Sequence, residues 1–244
     1  MFIRTDNILA YAQDRLGANM KELFLISGLG ADKRVFNFLN LSLYIVHYIE
    51  WIDPGTHESI EEYAKKISMQ IDIEKPILVG ISFGGMIAVE IGKQIETEKI
   101  ILISSARSKK DLPPNFLARK LKLHTLIPAR ILKKSNAILF WFFSVKSKTE
   151  KKLLRSIIKD TDEKFLKWAI DKIVTWENEI ELNNIVRIHG TSDRLIPFTT
   201  ADYTIEDGGH LMIMNRATEI DKIIKDVIFG VKDDNTSSQH YFVQ

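Results

Sequence analysis

The feature that most constrains the fold is a serine flanked by glycines, in the segment PILVGISFGGMIAVEIG (residues 76–92). Residues 77–79 form a short apolar run typical of a buried strand. The residues after the serine show apolar side chains at helical spacing, at Met86, Ile87, Ile91 and Ile95. A bend this tight needs small neighbours, because a Cβ there would collide with the adjoining backbone. The pattern predicts a strand–turn–helix unit that leaves Ser82 exposed above a sheet.

Composition limits the classes of protein that the chain can belong to. Its 244 residues are 45% hydrophobic and 27% charged, which is typical of a globular protein with one large domain or a core with an insertion. The absence of cysteine excludes disulfides, thiolate metal sites and a cysteine nucleophile, and it fits the reducing cytoplasm, where we place the protein. Charges near the N-terminus argue against a signal peptide, and the longest apolar run, residues 137–145, is too short to span a bilayer.

The net charge of +2 is unevenly distributed along the chain. Residues 107–159 contain 15 Lys or Arg against two acids, Asp111 and Glu150, which gives +13 and leaves −11 for the rest. Such a segment could attract an anionic substrate or dock on an anionic membrane beside the aromatic residues 141–143. We favour a solvated face, partly neutralised by the acid-rich residues 160–181.

Strand and helix patterns alternate through the first hundred residues. The predicted strands cover residues 23–27, 44–52, 76–82 and 99–106. Helical patterns lie between them, around residues 35–39, from near Thr56 to residue 71, and up to residue 94. This alternation predicts an α/β fold with a mostly parallel, doubly wound sheet.

The alternation then stops and later resumes. Residues 108–184 are nearly all helical in pattern, with capping-box spacing from Ser147 to Glu150. Strand signals return at residues 185–190 and 201–209, followed by a last helix around residues 220–228. We therefore predict three parts. They are an α/β core at 1–107 and 185–230, a helical cap inserted at 108–184, and a polar tail at 231–244.

Two later segments offer the partners that a nucleophilic serine requires. A serine hydroxyl needs a base to remove its proton, and the base needs an orienting acid. Asp193 lies in the loop leaving the predicted strand 185–190, and His210 follows the strand 201–209. Loops at the carboxyl ends of parallel strands meet at one edge of the sheet. We expect Asp193 to accept the Nδ1 proton of His210, whose Nε2 then faces Ser82.

Other residues compete for these roles. Glu206 and Asp207 are rival acids, which we expect to point elsewhere because they lie within the run leading to His210. We interpret His189, at a strand end, as structural. The remaining histidines lack the spacing of metal ligands, so no metal site is predicted.

Acyl transfer also needs hydrogen-bond donors for a negatively charged oxygen. The backbone N–H of Phe83, at the start of a helix, supplies one. The glycine-containing loop at residues 27–32 is expected to supply the second, from Leu29.

Four motifs together resemble the α/β-hydrolase superfamily of serine hydrolases. LISGLGAD is similar to the oxyanion loop, VGISFGG to the nucleophile elbow, HGTSDRLIP to the acid loop and EDGGH to the histidine loop. The resemblance implies a Ser82–Asp193–His210 triad, Leu29 and Phe83 as oxyanion donors, a helical cap and no cofactor. The sequence departs from the family pattern twice. Ser27 stands where a histidine is usual, and only a few residues separate Pro197 from the next strand, where the family has a helix.

The predicted cap would roof the site and select the substrate. We predict that the substrate contacts Met86, Arg107, Trp141, Phe142 and Trp168. Further candidates for the pocket wall are Leu29, Phe116, Leu139 and Phe143. We expect most of the apolar candidates to belong to the core of the cap instead. The predicted activity is hydrolysis of a small or medium carboxylic ester, neutral or anionic, through an acyl-enzyme. Thioester, lactone or carbon–carbon hydrolysis would use the same residues. The alternative is a ligand-binding or interaction scaffold with little turnover. No nucleic-acid partner is predicted, and membrane contact is not favoured.

Overall fold

The computed structural model describes residues 20–113 and 137–230, and its centre is a six-stranded sheet. The strands are β1 Lys21–Ile26, β2 Tyr44–Tyr48, β3 Ile77–Ile81, β4 Lys99–Ile103, β5 Ile185–Gly190 and β6 Tyr203–Ile205. Their order is β2-β1-β3-β4-β5-β6, and every neighbouring pair is parallel. The predicted parallel sheet is confirmed. Because β3 is an inner strand, the serine that follows it lies near the middle of the edge formed by the carboxyl ends of the strands.

Helices connect most of the strands. The α-helices are α1 Ile60–Ser68, α2 Phe83–Gly92, α3 Ala137–Phe142, α4 Lys148–Asp160, α5 Glu163–Thr175, α6 Met212–Asn215 and α7 Ala217–Phe229, and short 3₁₀ helices span Lys33–Phe38 and Lys109–Asp111. The predicted start near Thr56 is wrong. The helix begins at Ile60, because Ser59 and Glu62 form the capping box there.

Several strands end sooner than predicted. The fourth strand was expected to reach residue 106 but stops at Ile103, where Ser104 adopts a φ of 48° that an extended strand does not allow. The strand expected over 201–209 is only three residues long and lies at the edge of the sheet.

Alternation along the strands divides the core into two layers. Leu78 and Leu102 pack against the layer that contains α1 and α2, whereas Val79 and Ile101 pack against the layer that contains α7. Side chains of a strand point alternately to its two faces, so a sheet covered on both sides is apolar throughout. This explains why the strand segments show continuous apolar runs.

Two helices of the predicted cap pack against the core, one against each layer. The indole of Trp176, at the end of α5, donates to the buried Glu90 carboxylate of α2 over 2.7 Å. Ile157 of α4 packs in the other layer. The capping box at Ser147 and Glu150 is confirmed. Phe116 and the rest of residues 114–136 lie outside the described residues, and the division into core and cap stays a prediction.

The connection from β5 to β6 lacks a helix, as the sequence predicts. Residues 191–202 contain no helix or strand. Beside them the guanidinium of Arg187 is fully buried and donates to the Ser105 carbonyl and the Thr199 hydroxyl, each over 2.8 Å. A polar network therefore covers this edge. In residues 20–113 and 137–230, no helix combines the length and apolarity needed to cross a membrane.

Candidate active site

Ser82 occupies a strained turn between β3 and α2. Its φ of 52° and ψ of −121° fall in a region that costs a non-glycine residue on the order of 1–3 kcal/mol, so the surrounding packing must hold it. A Cβ on Gly84 would lie 2.1 Å from the Ser27 carbonyl oxygen, and one on Gly80 would lie 2.4 Å from the Gly85 Cα. These distances agree with the prediction that the bend needs small neighbours, because its glycines touch backbone.

The structure brings Ser82, Asp193 and His210 together. His210 Nε2 lies 2.9 Å from Ser82 Oγ, and His210 Nδ1 lies 2.8 Å from Asp193 Oδ2. Asp193 and His210 are both buried. Because an ionised carboxylate only accepts hydrogen bonds, Nδ1 carries the proton, and Nε2 is left to accept the serine hydroxyl hydrogen.

The Asp193 carboxylate is held at both oxygens. Its Oδ1 accepts the backbone N–H groups of Leu195 and Ile196, each over 2.9 Å, while Oδ2 faces His210. Burial by itself would raise the pKa of Asp193. The charge and hydrogen bond of His210 and the Ile196 N–H outweigh that effect and hold the pKa below its usual value. Asp193 therefore stays ionised and fixes the imidazole tautomer.

A second histidine, His189, lies behind the same carboxylate. Its Nε2 is 2.8 Å from the Ile196 carbonyl oxygen and 3.4 Å from Asp193 Oδ2, and Nδ1 has no partner. Burial, assisted by the positive charge of Arg187, lowers the pKa of His189 to about 4. The ring is thus neutral near pH 7 and donates its Nε2 proton to Ile196, in the turn that presents Asp193. This position agrees with the structural interpretation of His189.

We expect His189 to make stability fall with acidification between about pH 6.5 and pH 4. In this window the unfolded chain takes up a proton at residue 189 that the folded chain refuses, so the free energy of unfolding decreases as the pH falls. One proton corresponds to about 1.4 kcal/mol per pH unit, and the whole effect to about 3 kcal/mol. Urea unfolding measured across this range should give a slope that is smaller by about one proton in His189→Asn. The control is His57→Asn, because His57 is exposed, and this variant should keep the wild-type slope. If His189→Asn has the same slope as His57→Asn, the prediction is wrong.

The rival acids point elsewhere, as expected. The Glu206 carboxylate accepts from the Thr191 hydroxyl over 3.1 Å, and that hydroxyl accepts the Asp207 backbone N–H over 2.9 Å. The Asp207 side chain is exposed. Asp193 is the carboxylate in contact with His210.

The predicted oxyanion loop lies against the serine. A Cβ on Gly28 would be 3.4 Å from Ser82 Cβ. Ser27, in place of the usual histidine, donates through its hydroxyl to the Ala31 carbonyl over 2.7 Å and accepts from the Trp51 indole over 2.9 Å. Sequence reasoning missed the role of Trp51, because nothing local links it to this loop.

Residues of the predicted cap contact the same loop. The Thr161 hydroxyl, between α4 and α5, lies 3.1 Å from the Gly30 carbonyl oxygen, and Arg34 pairs with Asp160 over 2.9 Å. Leu29 is half-buried in this loop, and Phe83 is the first residue of α2. That their N–H groups bind an oxyanion stays a prediction.

The predicted substrate residues lie in different surroundings. Met86 has no exposed surface and packs in the core, and Trp168 is buried with its indole donating to the Glu58 carbonyl over 2.9 Å. Arg107 contacts Asp111 and Thr200 through its guanidinium.

The other two predicted substrate residues lie at the surface. Trp141 and Phe142 are 55% and 40% exposed. Their neighbour Phe143 instead lies edge-on to His210, with ring centroids 5.4 Å apart. In residues 20–113 and 137–230, no three His, Asp or Glu residues are arranged to hold a metal ion.

Solved structures with the same fold include several enzymes. A bromoperoxidase from Bacillus anthracis matches at 15% identity and a TM-score of 0.68, over 87% of this chain and 93% of that one. An enol-lactonase from Burkholderia xenovorans LB400 matches at 17% identity and a TM-score of 0.66, over 88% and 93%. A thermophilic esterase from Thermogutta terrifontis matches at 14% identity and a TM-score of 0.64, over 86% and 90%. No protein-family model matches the sequence, and no curated protein compared with it matches either.

The strand order and these matches show that the chain has the α/β-hydrolase fold. At identities of 17% or less, the matches leave the reaction to be inferred from the chemistry of the site.

Proposed function

We propose that the protein is a serine hydrolase that cleaves a small or medium carboxylic ester through an acyl-enzyme intermediate. The observation that carries this proposal is the continuous hydrogen-bond chain from Ser82 through His210 to Asp193, with lengths of 2.9 and 2.8 Å. A buried carboxylate, an oriented imidazole and a hydroxyl at a helix N-terminus form the set of groups that acyl transfer requires. The esterase and enol-lactonase with this fold act, by their names, on the same class of bond.

In the proposed first half-reaction, Ser82 Oγ attacks the ester carbonyl carbon while His210 Nε2 takes the hydroxyl proton. The carbonyl π electrons move to its oxygen, which the N–H groups of Phe83 and Leu29 bind. The intermediate collapses, the carbon–oxygen bond breaks, and the alcohol leaves with the proton from His210. Asp193 stays ionised and stabilises the imidazolium.

In the second half-reaction, water replaces the alcohol. His210 removes a proton from water, the resulting hydroxide attacks the acyl-enzyme, and Ser82 recovers its proton as the carboxylic acid leaves. These two half-reactions require no cofactor. Thioesters and lactones fit the same steps, because each presents a carbonyl carbon with a leaving group.

A fluorophosphonate probe and a series of p-nitrophenyl esters test the proposal. The Ser82 oxygen should displace fluoride from the probe, so the peptide that contains Ser82 should gain the mass of the probe less hydrogen fluoride. The wild-type protein should also hydrolyse the esters with saturation kinetics. The chain length that gives the highest kcat/KM reports the depth of the acyl pocket. If the folded protein binds such compounds without labelling or turnover, it is a ligand-binding scaffold and the proposal fails.

A further inference from the structure

Ser144 contacts the residues that immediately precede the proposed acid and base. It follows α3, and its hydroxyl donates to the carbonyl oxygen of Ser192 over 3.0 Å. Ser192 is the residue before Asp193. The Ser144 Cβ also lies against Gly209, the residue before His210, so closely that a Cβ on Gly209 would be only 2.2 Å from it. One side chain thus touches both loops.

The local structure holds Ser144 firmly in this position. Its φ of 56° is unfavourable for a residue with a Cβ, so neighbouring contacts must maintain it. The Val145 N–H donates to the Phe140 carbonyl over 2.8 Å and closes the turn around Ser144. Beside it, Phe143 meets the His210 ring edge-on at 80°. The segment therefore lies against the imidazole as well as the loops.

We propose that Ser144 is a positioning residue that holds the acid loop and the histidine loop at a fixed separation. This inference rests on the proposed function, since it concerns how His210 stays between Asp193 and Ser82. Ser144 acts through the backbone of Ser192 and Gly209, and has no contact with the hydroxyl that reacts. A displacement of about 1 Å in such a site typically lowers the rate by about 10²-fold.

Enlarging residue 209 tests the separation directly. The backbone φ of Gly209 lies outside the left-handed region, so alanine is allowed there except for its contact with Ser144. In Gly209→Ala the new methyl group must push the histidine loop away from Ser144, which is hydrogen-bonded to the acid loop. We expect kcat for a p-nitrophenyl ester to fall by about 10²-fold, with KM changed less than threefold.

A size exchange distinguishes positioning from general damage. In the Gly209→Ala/Ser144→Gly double variant the nearest atom to the new methyl is the residue 144 Cα, at 3.6 Å, which is an ordinary contact. Glycine also suits the positive φ at residue 144. We expect kcat to recover to within about tenfold of wild type, and the remaining loss reflects the hydrogen bond to Ser192 that glycine cannot donate. The matched control, Gly209→Ala/Ser144→Ala, keeps the obstructing Cβ and should stay as slow as Gly209→Ala.

A spectroscopic readout separates this inference from the proposed function. The His210 Nδ1 proton, hydrogen-bonded to Asp193, should give a downfield NMR resonance in wild type, lose it in Gly209→Ala and regain it in the glycine double variant. If wild type hydrolyses no ester, the proposed function fails while this resonance still decides the positioning role. Wild-type kcat in Gly209→Ala, or equal kcat values and spectra in the two double variants, would overturn the inference. Circular dichroism establishes that each variant is folded, and if Gly209→Ala does not fold, the two double variants decide alone.

Discussion

Replacing Ser82 by alanine should lower kcat for ester hydrolysis by about 10⁵-fold or more. Loss of the nucleophile in a serine hydrolase typically removes nearly all catalysis, because a methyl group can form no acyl bond. The fold should be unaffected, since alanine keeps the Cβ at the strained φ of 52° and the hydroxyl contacts His210 rather than the core. Thermal unfolding should therefore stay close to that of wild type, and fluorophosphonate labelling should disappear.

Ser42 provides the matched control for this substitution. It is exposed in the loop before β2, where its hydroxyl contacts Asn40. Ser42→Ala should retain the wild-type kcat within about twofold and should label normally. A Ser82→Ala preparation that keeps more than about 1% of the activity would show that another group performs the attack. Retained binding of the carboxylic acid product by calorimetry would show that only the chemical step is lost.

Two features of the site could be predicted from the sequence, namely the tight turn at Ser82, which local rules determine, and the approach of Asp193 and His210 to it, which follows from the parallel sheet. A glycine-flanked serine between an apolar run and a helical pattern specifies a tight turn, and the Cβ distances at Gly80 and Gly84 show the reason. Parallel strands deliver their carboxyl ends to one edge, so Asp193 and His210 meet there once their strands are recognised.

The supports of the site could not be predicted, because they join residues far apart in the chain. Ser27 bonds to Trp51, and Ser144 contacts Ser192 and Gly209, through side-chain distances that no sequence period reports. The sequence also does not show which apolar residues belong to the core and which line a pocket. Met86 and Trp168 are apolar residues at helical spacing, a pattern that a core residue and a pocket residue share, and the structure buries both.

The substitution Asp193→Asn should lower kcat by about 10³–10⁴-fold at neutral pH. The contacts of Asp193 determine how the new amide is oriented, and this orientation explains the loss. Two backbone N–H groups, of Leu195 and Ile196, point at Oδ1, so the amide oxygen must take that position. The amide NH₂ then faces His210 and donates to Nδ1. The imidazole is forced into the tautomer that carries its proton on Nε2, toward Ser82, and it can no longer accept the hydroxyl hydrogen.

Asp207→Asn is the control, because Asp207 is the rival acid of the histidine loop and is exposed at a φ of 55° that asparagine tolerates. Its kcat should stay within about twofold of wild type. Kinetics of both variants from pH 6 to pH 9 distinguish the two acids. Raising the pH should restore little activity to Asp193→Asn. Its imidazole is already neutral, so a higher pH does not move the proton from Nε2 to Nδ1. If Asp207→Asn loses the activity and Asp193→Asn keeps it, the hydrogen bond of 2.8 Å between Asp193 and His210 is not the one that orients the base.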